Sequence, residues 1–175
     1  MSQKHDYWDT LHLKYKGIVD LKGLYRVVKE WLESKGMEVY ETKTKQTSRP
    51  FGMEQEFDLR GYRNLSEYYR IWIIVMFHIW DAVEVEVVKN GVKERLTKCR
   101  LYIRIRSEVE VDWTNRFENS KFQEHLRDFL NNKVLKHRFE SILWDQHHYK
   151  MHELLNVLKE YLNMQTRGSE YADMW

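Results

Sequence analysis

The sequence predicts an α+β domain in which a curved antiparallel β-sheet of about five strands packs on a long C-terminal helical segment. Three observations lead to this prediction. Apolar and polar residues alternate repeatedly between Leu11 and Val111, as they do in strands with one buried face. Asn90 and Gly91 form a strong hairpin signal, because both tolerate a positive φ. The last third of the chain changes to a helical period.

Length and composition predict a single domain. The 175 residues suffice for one core, which we place in residues 1–165, with a flexible tail at 166–175. The only cysteine, Cys99, excludes an internal disulfide and favours a cytoplasmic location. The first residues lack the apolar segment of a signal peptide. The apolar run Tyr68–Trp80 is too short to span a membrane and reads as a strand.

The first third of the chain predicts a strand followed by a helix. Residues Leu11–Lys16 alternate as a half-buried strand does. Asp20 can cap a helix with one apolar stripe, and Gly36 can end it in the left-handed conformation. Four further strands are predicted at residues 37–46, 54–62, 68–89 and 92–111.

The Asn-Gly turn predicts which residues face each other in the following hairpin. A two-residue turn pairs Lys89 with Val92 and, in strict register, Trp80 with Leu101. One apolar face then consists of Trp72, Ile74, Met76, His78, Trp80, Leu101, Ile103 and Ile105. A bulge near Asp81 and Ala82 would change this register and thereby change which residues share a face.

The second face of the same strand is also apolar, which is unusual for an antiparallel sheet. It consists of Ile71, Ile73, Val75, Phe77 and Ile79. Either arginine stems or the N-terminal segment cover it within one chain, or it mediates homodimer formation. We expect a homodimer through this face.

The C-terminal segment predicts a long amphipathic helix. Ser120 and Gln123 form a capping box, and a heptad-like stripe follows at Trp144, His148, Met151, Leu155, Leu158 and Leu162. The face from Trp72 to Trp80 is the apolar surface of matching length. We therefore expect the stripe to pack on that face.

Two resemblances accompany these patterns. The order of elements is similar to the helix-grip superfamily, which includes steroid-transfer proteins and the birch-pollen allergen. In addition, "YKGIVDLKGLYRVVKEWLESKGMEVYETK", "FHIWDAVEVEVVKNGVK" and "DWTNRFENSKFQEHLRDF" resemble a family of short uncharacterised archaeal proteins, over about Leu11 to Leu162. That family implies no activity and no catalytic residues.

The helix-grip resemblance implies a binding domain that holds an apolar or amphipathic ligand between the sheet and the C-terminal helix. A concave cavity lined by aromatic residues is the default site in such a domain. The candidate lining residues are Trp72, Met76, His78, Trp80, Trp144, His148 and Met151.

An alternative function is RNA or ribosome association through the fifth predicted strand. Basic side chains alternate there with an aromatic ring, on the face that contains Lys98, Arg100, Tyr102, Arg104 and Arg106. Such a pattern can bind RNA phosphates and stack a base.

Other patterns give weaker signals for chemistry. His148 and His152 have the i, i+4 spacing of a metal-chelating pair, but no further ligand is evident, so we predict no metal and no cofactor. The alternating carboxylates Glu54, Glu56 and Asp58, and likewise Glu108, Glu110 and Asp112, are typical of solvated charge pairs. The sequence contains no glycine-rich phosphate loop, no nucleophile elbow and no Cys–His pairing that spacing supports, so catalytic residues stay unknown and a non-enzymatic role is favoured.

Overall fold

A computed structural model of the protein describes residues 3–89, 92–114 and 144–164. In chain order the elements are β1 (Gln3–Val19), α1 (Leu21–Ser34), β2 (Glu38–Arg49), β3 (Gly52–Asn64), β4 (Tyr69–Lys89), β5 (Val92–Val111) and α2 (Trp144–Tyr161). The five strands form one antiparallel sheet in the order β1-β5-β4-β3-β2. The two-faced apolar strand β4 is therefore the central strand.

The predicted helix after the first strand is confirmed. Asp20 caps α1, and its Oδ1 accepts a hydrogen bond from the backbone N–H of Lys22 at 3.0 Å. Gly36 follows the helix with φ +70°, in the left-handed region that glycine adopts without strain. The apolar side of α1 packs on the sheet through Leu24, Val28, Trp31 and Leu32.

A bulge in β4 reverses the predicted assignment of the two sheet faces. Near the turn Lys89 pairs with Val92 as predicted, but the register shifts between Val83 and Trp80, so that Trp80 lies opposite Arg100. Asp81, at the shift, has φ +54°. Because β4 contains one extra residue at the bulge, every residue of β4 before it is shifted by one position relative to β5. The strict register that paired Trp80 with Leu101 is therefore wrong.

The turn between β2 and β3 packs closely against this bulge. A Cβ atom on Gly52 would lie 2.8 Å from the carbonyl carbon of Asp81. Gly52 also has φ +138°, a conformation that L side chains rarely adopt. Glycine at this position lets the turn and the bulge approach each other.

We call the face of the sheet that contacts the helices the inner face. On β4 and β5 its side chains are Ile71, Ile73, Val75, Phe77, Ile79, Leu101, Ile103 and Ile105, and all of them are buried in the core. The predicted homodimer through Ile71–Ile79 is therefore wrong, because the chain's own helices already cover those side chains.

The predicted architecture of a sheet packed on a long C-terminal helical segment is also wrong. Most described residues lie in antiparallel strands of 12 to 21 residues, and the two described helices have only 14 and 18 residues. Both helices share the inner face, and Lys35, the residue that follows α1, forms an ion pair with Glu153 of α2 at 2.7 Å. The proposed capping box at Ser120 and the proposed tail lie outside the described residues.

The apolar stripe of the last helix packs on the opposite face from the one expected. Met151, Leu154, Leu155, Leu158 and Leu162 are buried with the inner-face core rather than against Trp72–Trp80. Met151, Leu155, Leu158 and Leu162 of the predicted stripe are buried, whereas His148 is only partly buried and the side chain of Trp144 lies outside the described part of the chain. The partner surface was wrong because it followed from the strict hairpin register.

Neither described helix combines the length and apolar character that a membrane-spanning helix requires.

Candidate functional site

We call the side of the sheet opposite the helices the outer face. Its two ends differ in how far their side chains are exposed to solvent. On β4 it consists of Trp72, Ile74, Met76, His78 and Trp80, which pair in that order with Glu108, Arg106, Arg104, Tyr102 and Arg100 of β5. Trp72 and Ile74 are buried, whereas Met76, His78 and Trp80 are partly exposed and Arg100 and Arg104 are exposed. A ligand can therefore reach the half of the outer face around Trp80.

The residues predicted to line one apolar pocket lie on two sides of the sheet. Trp72, Met76, His78 and Trp80 belong to the outer face, while Met151 is buried at the inner face. His148 lies on the same helix as Met151 and is partly buried; of Trp144 only the backbone is described. A sheet separates the two groups, so the pocket cannot form as predicted.

The predicted basic row on β5 does share the outer face, but its members have different surroundings. Arg100 donates from Nε to Oδ2 of Asp81 at 2.6 Å, and Arg106 is paired with Glu108. Arg104 packs against the sulfur of Met76. Only part of the predicted positive charge is thus free of a neighbouring carboxylate.

Strand β1 adds cations that the sequence did not associate with this row. His12, Lys14 and Lys16 pair in register with Arg104, Tyr102 and Arg100. Lys14 and Lys16 are exposed, and no ion pair joins them to any carboxylate among the described side chains. The hydroxyl of Tyr102 lies 2.7 Å from Nδ1 of His12, which holds its ring in place.

These side chains surround a shallow groove of about 500 Å³. Its lining includes Lys14, Lys16, Trp80, Arg100 and Tyr102, which we call the basic-aromatic patch. The patch places three cationic side chains around two aromatic rings. It can therefore attract an anion and offer rings for stacking at the same place.

A cluster of two carboxylates and one imidazole lies beside the patch, on β3 and β4. Nε2 of His78 is 2.8 Å from Oε1 of Glu54 and 3.7 Å from Oε1 of Glu56. Arg49 donates from Nε to the other oxygen of Glu54, also at 2.8 Å. The hydrogen bond with His78, followed by that from Arg49, holds the pKa of Glu54 below its usual range.

The second group of predicted carboxylates is not solvated. Glu108, Glu110 and Asp112 are each less than 8% exposed. Glu110 accepts a hydrogen bond from Nε1 of Trp72 at 2.9 Å, and Arg70 lies 3.7 Å away. The prediction of a solvated charge row is wrong here, because these side chains belong to the buried end of the outer face.

The histidine pair on the last helix lies close together, and no third metal-ligating group joins it among the side chains that the structure describes. The rings of His148 and His152 are 4.4 Å apart between centroids. Among the described side chains, the cluster of three metal-ligating groups is instead Glu54, Glu56 and His78.

Cys99 is a buried core residue, and burial raises the pKa of its thiol to about 11. Because the thiolate is the reactive form, we expect only on the order of one thiol in a thousand to be ionised at pH 8. Ellman's reagent should therefore react slowly with the native protein and rapidly after denaturation in urea. Rapid reaction of the native protein would mean that the inner face opens readily.

Sequence reasoning missed two features of this site for different reasons. The Glu56–His78 neighbourhood follows from the β3–β4 register, in which Tyr62 pairs with Trp72 and Glu56 with His78. Pairing the residues of β3 and β4 outwards from the short connection between them would have predicted that Glu56 lies beside His78. The contribution of Lys14 and Lys16 had no such signal, because β1 and β5 are distant in sequence.

Comparisons with known proteins identify no family. No protein-family model matches the chain, and no curated protein matches it. Among solved structures, an uncharacterised protein from Rhizobium leguminosarum aligns with 94% of this chain and 99% of its own, at 9% identity and a TM-score of 0.24. A likeness of that size carries no argument about fold or function. The resemblance to archaeal proteins stays a prediction.

Proposed function

We propose that this protein is a non-enzymatic RNA-binding protein that holds single-stranded RNA on its basic-aromatic patch. The observation that carries the proposal is the groove in which Lys14, Lys16 and Arg100 surround Trp80 and Tyr102. Single-stranded nucleic acids are bound by this combination, in which cations contact the phosphates and aromatic rings stack on the bases.

The distribution of charge on the outer face supports this choice of ligand. The cations that border the groove lie on β1 and β5, whereas β3 contributes Glu54, Glu56 and Asp58 to the same face, together with Arg60 and with Lys45 of β2 opposite Glu56. A polyanion would therefore lie along the β1–β5 side and avoid β3. The net charge of +2 alone would not predict a polyanion, so the local separation of charges is what matters.

A ligand held between the sheet and the last helix is less well supported. That space contains tightly buried side chains such as Ile73, Phe77 and Leu158, which are at most 2% exposed. In our proposal the protein acts in the reducing cytoplasm, which suits a chain whose one cysteine is free and buried.

The proposal predicts salt-dependent binding of a generic single strand. We expect a fluorescein-labelled oligouridylate to bind at low salt, as measured by fluorescence anisotropy in the presence of EDTA. If Lys14, Lys16 and Arg100 each contact one phosphate, with Arg100 exchanging its ion pair with Asp81 for the phosphate, the affinity should fall about 20-fold between about 50 and 200 mM KCl. No anisotropy change at low salt would exclude the proposal.

Charge-reversal variants locate the binding surface. Lys14→Glu combined with Lys16→Glu should abolish binding, because both side chains are exposed and border the groove. The matched control is Lys22→Glu with Lys29→Glu on α1, which changes the charge equally on the other side of the sheet. Equal loss in both variants would show a general charge effect and no specific patch.

Removal of one ring tests base stacking separately from charge. Tyr102→Leu should weaken binding by about 1–3 kcal/mol, the usual contribution of one stacked base. Tyr149→Leu is the control, because Tyr149 is 67% exposed and lies on α2. If Tyr102→Leu binds as well as the unmodified protein, the ring does not stack on RNA.

A further inference from the structure

We propose that Glu54, Glu56 and His78 form a binding site for a divalent transition-metal ion, with Zn²⁺ as the ion to test. The proposal does not rest on RNA binding, although the site adjoins the basic-aromatic patch and shares the neighbours Trp80 and Tyr102 with it. It lies on β3 and β4, at the acidic side of the outer face, and it combines one imidazole nitrogen with two carboxylate oxygens.

The distances between the ligand atoms suit one ion. The three atoms all lie within 4.8 Å of one another, with Nε2 of His78 at 2.8 Å and 3.7 Å from the nearer oxygens of the two glutamates. Tetrahedral Zn²⁺ with bonds of about 2.0–2.2 Å separates its ligand atoms by about 3.3–3.6 Å. The observed distances lie on both sides of that value, so small side-chain rotations would admit the ion.

Neighbouring side chains already orient the ligands. Arg49 binds Oε2 of Glu54, which leaves Oε1 directed at His78. The ring of Trp80 stacks on the imidazole of His78, with 3.8 Å between centroids and 25° between planes. Outer contacts of this kind fix the orientation of metal ligands and reduce the cost of ordering them on binding.

The site also has room for a ligand that the protein does not supply. Glu56 and His78 line a cavity of about 360 Å³ together with Asp58, Met76, Tyr102 and Arg104. Three protein ligands leave one tetrahedral position open, as in zinc sites that bind water or a substrate. An ion here would carry water or an anionic oxygen on the cavity side, where Arg104 contributes a positive charge.

The imidazole in the ligand set determines which ions should bind. Nitrogen ligands favour Zn²⁺ over Mg²⁺ and Ca²⁺, which prefer sites made of oxygen atoms alone. We therefore expect millimolar Mg²⁺ not to displace Zn²⁺. Displacement by Mg²⁺ would indicate binding by the carboxylates alone and would overturn the assignment to His78.

Isothermal titration calorimetry with ZnCl₂ tests the site in the chelator-treated full chain. The unmodified protein should bind Zn²⁺, and Glu56→Gln and His78→Gln should each weaken binding by more than about 10-fold. Both side chains are partly exposed, and thermal melting followed by circular dichroism checks that each variant folds. Glu56→Gln is the smaller change and keeps the test valid if His78→Gln does not fold.

Zn²⁺ could instead bind to the histidine pair on α2, and substitution of that pair is therefore the control. The double variant His148→Gln with His152→Gln should bind Zn²⁺ as the unmodified protein does. If the double variant loses the binding while His78→Gln keeps it, the ion belongs to α2 and our assignment is wrong. The absence of any heat of Zn²⁺ binding would mean that the cluster is an ion pair and nothing more. Because the RNA measurements contain EDTA, either proposal can fail without the other.

Discussion

Replacing Ile73 by lysine is expected to unfold the domain. Ile73 lies on the inner face of the central strand, has no exposed surface, and pairs with Gly61 and Ser107 on its two sides. A lysine there would bury an unpaired ammonium group, at a cost of several kcal/mol. Domains of this size are stable by only about 5–15 kcal/mol, so much of the stability would be lost. Circular dichroism and heteronuclear NMR at 25 °C would detect the unfolding.

The same strand offers a matched control for this variant. Val88 is 65% exposed near the hairpin turn, so Val88→Lys adds the same charge without burying it. We expect that variant to melt close to the unmodified protein. If Ile73→Lys instead folds normally and only changes the oligomeric state in analytical ultracentrifugation, the inner face would be an intermolecular surface and the packing of both helices would be wrong.

Truncating Phe77 to alanine is expected to lower the free energy of unfolding by about 3–5 kcal/mol. Phe77 is 2% exposed, and its ring stacks on that of Phe57 with 4.5 Å between centroids. The truncation removes the ring from a packed core and leaves a cavity that neighbouring strands cannot fill. Equilibrium unfolding in urea, analysed at constant slope, measures the difference.

Phe51 is the control for this truncation, because it is 84% exposed in the turn between β2 and β3. Phe51→Ala should change the free energy of unfolding by less than about 0.5 kcal/mol. The opposite ranking, with Phe51→Ala the more damaging variant, would mean that Phe77 does not lie in the packed core.

Local signals in the sequence were reliable wherever neighbours in the chain decide the structure. Asp20 and Gly36 mark the ends of α1, since capping depends on backbone groups only a few residues away. The Asn-Gly turn predicted the pairing of Lys89 with Val92, because a two-residue loop determines the register next to it. The alternation of apolar residues likewise identified β4 and β5.

The error in the face assignment arose from a single residue. Asp81 adopts φ +54° in a bulge, and the residues before it shift by one position relative to β5. Because β4 is apolar on both faces, its own composition could not tell which face meets the helices. The wrong choice then placed the last helix on the wrong side and turned the real core face into a supposed dimer surface.

Part of the candidate site could be predicted from the sequence. Arg100 and Tyr102 were identified from alternation along one strand, and His78 from its place in β4. The pairing that brings Lys14 and Lys16 beside them joins β1 to β5, about 85 residues apart along the chain. No short-range rule predicts a pairing over that separation, because it depends on how the whole sheet assembles.

The sequence by itself determined the local elements of this protein: which segments are strands, where α1 begins and ends, and which stripe of the last helix is apolar. Only the tertiary structure decided which face of β4 is the core, that Glu54 and Glu56 meet His78, and that cations of two distant strands share one groove. The physical reason is the two-residue period of a strand. A shift of one residue exchanges its faces, and only packing against the rest of the molecule selects between them.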